Sequence, residues 1–119
     1  MIQEERLRRP AAVQSVFARG VRFANRRLIL FVSEGEEGRR RCAFAAGKKL
    51  GGAVQRNRLR RRMREAYRRE RKEFLRGCDL VLLARPETGM ASFEDLCSAL
   101  RELLRKAEEV RRTAPPSQP

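Results

Sequence analysis

A chain of 119 residues is long enough for one modest hydrophobic core and too short for two ordinary domains. Its 29 Lys and Arg against 15 Asp and Glu leave a formal charge of +14, an excess that concerns partners more than fold and makes nucleic acid the first candidate. There is no His, which removes the commonest general base and metal ligand and excludes a zinc finger or a His-dependent ribonuclease on this chain alone.

An acidic membrane surface is the competing destination for basic charge. The first residues, Met1-Ile2-Gln3-Glu4-Glu5-Arg6, are polar, with no signal-peptide core, and no run reaches the ~20 apolar residues of a span. The expectation is a cytoplasmic protein with no membrane partner. Cys42, Cys78 and Cys97 are isolated, odd in number and set in apolar surroundings, so they read as reduced core thiols.

Pro10 and Gly20 bracket a short helix with Val13, Val16 and Phe17 on its apolar face. Val21 to Ala24 alternates weakly. Leu28 to Val32 is a clear apolar strand, and the turn-forming Ser33-Glu34-Gly35-Glu36-Glu37-Gly38 predicts a hairpin whose return strand is Arg41 to Ala46. Gly47 to Gly52 reads as a flexible basic connection into an arginine-rich helix expected from Ala53 to Leu75. Gly77 ends that stretch. Asp79 to Arg85 is a buried strand halted by Pro86. Ser92, with Asp95 three residues on, opens a final helix whose stripe is Leu96, Leu100, Leu103, Leu104 and Ala107. The order α-β-β-β-α-β-α predicts a single α+β domain over residues 1–112, with a disordered Pro-rich tail over 113–119.

The arginine-rich helix carries most of the functional information. At about 100° per residue, Asn57, Arg61, Arg64 and Arg68 share one flank, while Leu59, Met63, Ala66 and Tyr67 gather on another. A stable surface helix mixes charge signs at i,i+4; here Arg60, Arg64 and Arg68 repeat one sign and repel, which points to an external polyanion. Gly47-Lys48-Lys49-Leu50-Gly51-Gly52 lacks the spacing and the Ser or Thr of a Walker loop, so Lys48 and Lys49 read better as RNA phosphate contacts. Phe17, Phe31 and Phe44 are either core or stacking platforms set among Arg19, Arg22 and Arg41, and the sequence leaves both open. The carboxylate pairs Glu4-Glu5, Glu36-Glu37 and Glu108-Glu109 are adjacent in sequence and do not converge. No self-contained catalytic or metal-ligating constellation emerges. A dimeric DNA-binding basic helix would need heptads continuing beyond the arginines, and Tyr67 to Leu75 has none.

The run from Lys48 to Glu65, KKLGGAVQRNRLRRRMRE, resembles the signature of the bacterial ribonuclease P protein family, in effect K-K-x-G-N-A-V-x-R-N-R-x-K/R-R-x-x-R-E. Arg6-Leu7-Arg8, Val16-Phe17 with Arg19-Gly20, Ala84-Arg85-Pro86 and Ser92-Phe93 fit in order, so the likeness runs from about Arg6 to Lys106. It implies a small sheet with helices on it and a left-handed βαβ crossover, the ribosomal protein S5 domain 2-like arrangement, against the usual right-handed preference. It also implies a partner: a catalytic RNA that removes the 5′ leader of precursor tRNA by endonucleolytic hydrolysis, one protein per RNA. Mg2+ would be held mainly by the RNA and substrate, with none bound by the protein alone. Carried over by position, Lys48, Lys49, Arg56, Asn57, Arg58, Arg60, Arg61 and Arg64 would contact or orient that RNA, joined by Arg68 on the same flank. Val13, Phe17 and Phe31 would line the cleft for the leader. Two positions depart: Gly52 stands where the family usually has Asn, and Gly47 where it usually has Ser, which leaves backbone contacts to serve there. The alternative is a ribosomal or other structural RNA-binding protein of similar topology, which needs no leader cleft.

Overall fold

The computed structural model describes residues 6–113. The polar opening segment before Arg6 and the expected tail beyond Thr113 lie outside the described residues; Thr113 itself ends the last helix instead of starting the tail. The elements are α1 (Pro10–Arg19), β1 (Val21–Ala24), β2 (Leu28–Glu34), β3 (Arg41–Ala45), α2 (Ala53–Glu70), β4 (Cys78–Ala84) and α3 (Phe93–Thr113). This is the predicted α+β order, with a four-stranded mixed sheet in the order β1-β2-β4-β3.

That strand order corrects the expected pairing of β2 with β3. The hairpin lies one step earlier, between β1 and β2, where Asn25 Oδ1 accepts from the backbone N–H groups of Arg27 and Leu28, both at 3.0 Å. β4 inserts between β2, to which it is antiparallel, and β3, to which it is parallel. The reason is its composition. Leu80, Val81 and Leu82 are consecutive and all fully buried, so β4 needs both faces covered and a neighbour on each edge. The Ala-containing β3 is left at the edge, partly covered by the N-terminal segment, whose Leu7 N–H donates to Cys42 O at 3.1 Å. The Ser33 to Gly38 stretch therefore carries the chain past the end of β4, held by Gly35 N–H on Gly77 O at 2.9 Å.

One face of the sheet packs Leu28, Leu30, Val32, Leu80 and Leu82 against Met63, Ala66 and Tyr67 of α2 and the Leu96, Leu100, Leu103 and Leu104 stripe of α3. The other face receives α1, with Val16 seated over Val81. Ser92 does cap α3, its Oγ accepting the Asp95 N–H at 3.1 Å. Cys42, Cys78 and Cys97 are buried free thiols, and burial pushes Cys78 up to about 11.

The helix expected to reach Leu75 stops at Glu70. Lys72 and Leu75 take positive φ, 37° and 57°, so the chain turns back and drops Leu75 into the core. Arg40, distant in sequence, makes this turn possible by donating to Lys72 O at 2.9 Å and Phe74 O at 2.7 Å, carbonyls that a longer helix would have satisfied internally. At the helix end the buried Glu70 carboxylate accepts two bonds from the Arg101 guanidinium, 2.8 and 3.1 Å, which ties α2 to α3.

The hydrogen bond from Arg101, more than the opposing burial, holds the Glu70 carboxyl below the usual Glu range. A lowered folded-state value means that the stabilisation is complete above the unfolded value of about 4.3 and is withdrawn as pH falls through the folded one. Glu70→Gln is expected to lower the melting temperature at pH 7 and to flatten its loss on acidification below about pH 4. Melts over that range read both effects, and an acid limb as steep as in the parent would assign it to other carboxylates.

Candidate RNA interface

The connection between β3 and α2 is ordered, in contrast to the flexible link expected from its glycines. Lys48 to Leu50 form one 3-10 turn, with Leu50 packed on the core and Lys48 and Lys49 exposed. Gly51 has φ +126°, and a Cβ there would strike the Gln55 side chain, so this position needs glycine on both counts. The turn delivers the chain to α2, where Gln55 Oε1 accepts the Gly52 N–H at 3.1 Å.

Met63 and Ala66, both fully buried, fix the rotation of α2. Asn57, Arg61, Arg64 and Arg68 then lie on the far side, with Arg64 only half-buried and the other three exposed. Arg56 and Arg60 lie on the side towards β3, about 40° apart around the helix, and Arg60 donates to Asn57 Oδ1 at 2.6 Å. Arg64 places its guanidinium 5.6 Å from the centroid of the Phe44 ring, which meets Tyr67 edge-on. Phe44 is thus a platform for an arginine. Arg58 falls about 160° from Arg60, on the opposite shoulder, so the signature forms a band around the outer half of the helix and not one flat face.

Ion pairing separates two classes of arginine. Arg41 clasps Asp79 through two bonds of 3.0 Å, a hydrogen bond that raises its already high pKa, and Arg69 clasps Glu94 at 2.7 and 2.9 Å. Arg62, inside the signature, turns inward and donates to Thr88 O and Ala91 O, both at 2.7 Å. It serves the fold. Its place is readable in retrospect, since Arg62 lies about 40° from the buried Ala66. Among the described residues, Lys48, Lys49, Arg56, Arg58, Arg60, Arg61 and Arg64 have no carboxylate partner, and Arg68 has only the exposed Glu65 at 4.0 Å.

Val13, Phe17 and Phe31 come together on the opposite face of the sheet. Phe17 and Phe31 meet edge to face, centroids 4.9 Å apart at 71°. Each ring packs on its neighbour as a core residue does, and both remain half-buried, like Val13. The floor continues through the cross-strand row Arg22, Phe31, Val81 and Ala43, and then along β3 to Ala45, two residues short of the Lys48 turn. The half-exposed apolar floor of the expected cleft therefore runs towards the basic band. Among the described residues there is no cluster of His, Cys, Asp or Glu able to hold a metal, and no helix is long and apolar enough to cross a membrane.

The model of the Ribonuclease P family matches residues 1–108. The chain belongs to this family. It is 43% identical over 108 residues to the ribonuclease P protein component of Chloroflexus aggregans, covering 90% of this chain and 80% of that one. It is 36% identical over 107 residues to that of Bacillus velezensis, covering 89% and 91%. Its fold resembles the RNase P protein from Thermotoga maritima with a TM-score of 0.76 at 26% identity, over 86% of this chain and 96% of that one. The two departures from the family signature are accommodated without a change of path: a Cβ at Gly47 or Gly52 would meet nothing within 4 Å, and neither backbone is left-handed.

The division of the arginines is testable by a neighbouring pair. Arg62→Ala should destabilise the fold by about 1–3 kcal/mol, because two carbonyls lose a charged donor. Arg61→Ala should change stability by no more than about 0.5 kcal/mol. Urea unfolding of the two variants compares them directly, and equal losses would contradict the assignment.

Proposed function

We propose that the chain is the protein subunit of ribonuclease P, which binds the catalytic RNA through the basic band of α2 and the 5′ leader of precursor tRNA in the α1–sheet cleft. The observation that carries this reading is the pairing of an arginine band in which only Arg68 has a carboxylate neighbour with an adjoining half-exposed apolar, aromatic surface. Phosphates answer the first and unpaired bases the second. Lys48, Lys49, Arg56, Arg58, Arg60, Arg61, Arg64 and Arg68 contact or orient the RNA, with Asn57 holding Arg60 in place. Val13, Phe17 and Phe31 receive the leader.

In this reading the chain contributes binding and positioning. The hydrolysis that frees the mature tRNA 5′ end belongs to the RNA, with Mg2+ held mainly by RNA and substrate. Phosphate contacts set the register without favouring precursor over product; the cleft supplies that preference, because only the precursor has a leader. The setting is cytoplasmic, with one protein per RNA.

Reconstitution with a bacterial ribonuclease P RNA at low Mg2+ should accelerate leader removal from precursor tRNA. Arg61→Ala or Arg64→Ala should weaken RNA binding and reduce the salt dependence by about one unit of slope for each phosphate no longer neutralised. No gain in cleavage on adding the protein would refute the proposal, and an unchanged slope would make that arginine a bystander.

Phe17→Ala should narrow the preference for precursor over mature tRNA by about 1–3 kcal/mol, the contribution of one stacked base. An unfolding curve of the same variant separates this loss from that of packing against Phe31. Equal affinity of the parent complex for precursor and mature tRNA would favour a structural RNA-binding protein.

A further inference from the structure

A second basic feature lies outside the family signature. At the start of α1, a cavity of about 450 Å³ is lined by Arg6, Arg8, Arg9, Arg39 and Arg41 together with Ala12. Arg41 is held by Asp79, and Arg39 reaches Glu36 at 3.2 Å. Arg6, Arg8 and Arg9 are exposed and have no carboxylate partner among the described residues. Three like charges within four residues repel one another, and the first turn of α1 beside them holds no acidic residue. A polyanion would relieve that repulsion.

The position of the cavity indicates which one. Ala12 belongs both to its wall and to the apolar cluster of the cleft. On the floor, Arg41, Ala43 and Ala45 alternate onto one face of β3, so the arginine cavity lies at one end of the cleft and the Lys48–Lys49 turn beyond the other. Arg41 and Ala45 are separated by about 13 Å of strand. A single strand lying along the cleft thus leaves the apolar floor with its next phosphates over Arg6, Arg8 and Arg9. We propose that this cavity is a phosphate site for the part of a single-stranded RNA leader that extends past the apolar cleft, so that binding strengthens with leader length. The inference rests on the leader reading of the cleft.

The test uses the reconstituted holoenzyme and precursor tRNAs with leaders of about 4 and about 16 nucleotides, the span over which single-strand sites range. The triple variant Arg6→Gln, Arg8→Gln, Arg9→Gln should bind the long-leader substrate about tenfold more weakly, with its salt slope reduced by about two, while the short-leader substrate and mature tRNA are bound as before. The corresponding triple Lys variant should restore most of the loss. Melting temperatures of both variants, altered only at exposed side chains, check folding. A length dependence that survives in the Gln variant, or an equal loss for both leaders, would overturn the arginine site while leaving the cleft reading intact. A parent holoenzyme that binds precursor no better than mature tRNA would overturn both.

Discussion

The burial of Met63, Ala66 and Tyr67 between the sheet and α3 sets the rotation of α2, and every functional statement about that helix depends on this rotation. Turning the helix by one residue, about 100°, would bring Arg61 to the azimuth of the structural Arg62 and carry Arg62 to that of the buried Met63. Packing prevents this: fully buried side chains tolerate little displacement in a close-packed core. The Glu70–Arg101 pair and the Arg62 bonds to Thr88 O and Ala91 O fix the helix along its axis as well.

Orientation in turn sorts a very basic composition into two populations. Arg40, Arg41, Arg62, Arg69 and Arg101 reach carbonyls or carboxylates and hold elements together. The α2 band, apart from Arg68 beside Glu65, and the Arg6, Arg8, Arg9 group lack such partners among the described residues and keep their charge available. Their mutual repulsion is tolerated because the core, well away from them, supplies the stability. Long-range attraction of a polyanion grows with this uncompensated charge, which is why it stands on the surface in bands and not in isolated pairs.

Much of this was legible in the sequence where the determining physics is local. The 3.6-residue periodicity of α2, its Asn57–Arg61–Arg64–Arg68 flank and the Ser92 cap follow from neighbours in the chain, and the structure has all three. What escaped is settled by residues far apart. β4 takes the central place because its apolar run demands neighbours on both edges, which no hairpin rule between β2 and β3 registers. α2 ends at Glu70 because Arg40, thirty residues before, supplies donors to the turn that follows. The half-exposure of Phe17 and Phe31 depends on which sheet face α1 covers, a consequence of register. Arg62 is the exception: helix arithmetic alone would have placed it beside Ala66, but the density of like charge around it concealed a structural role.

The cleft and the band do different thermodynamic work on the proposed reading. Phosphate contacts release counterions and add affinity for any RNA, so on their own they hold product as firmly as substrate. A half-buried aromatic pair gives little to a structured duplex, whose bases are already stacked, and more to an unpaired strand. Placing the pair on the face opposite α2, but on a floor that leads to Lys48 and Lys49, lets one rigid domain engage both kinds of RNA at once. Selectivity then arises from the position of two half-exposed rings, while most of the affinity comes from charge, and removing either leaves the other measurable.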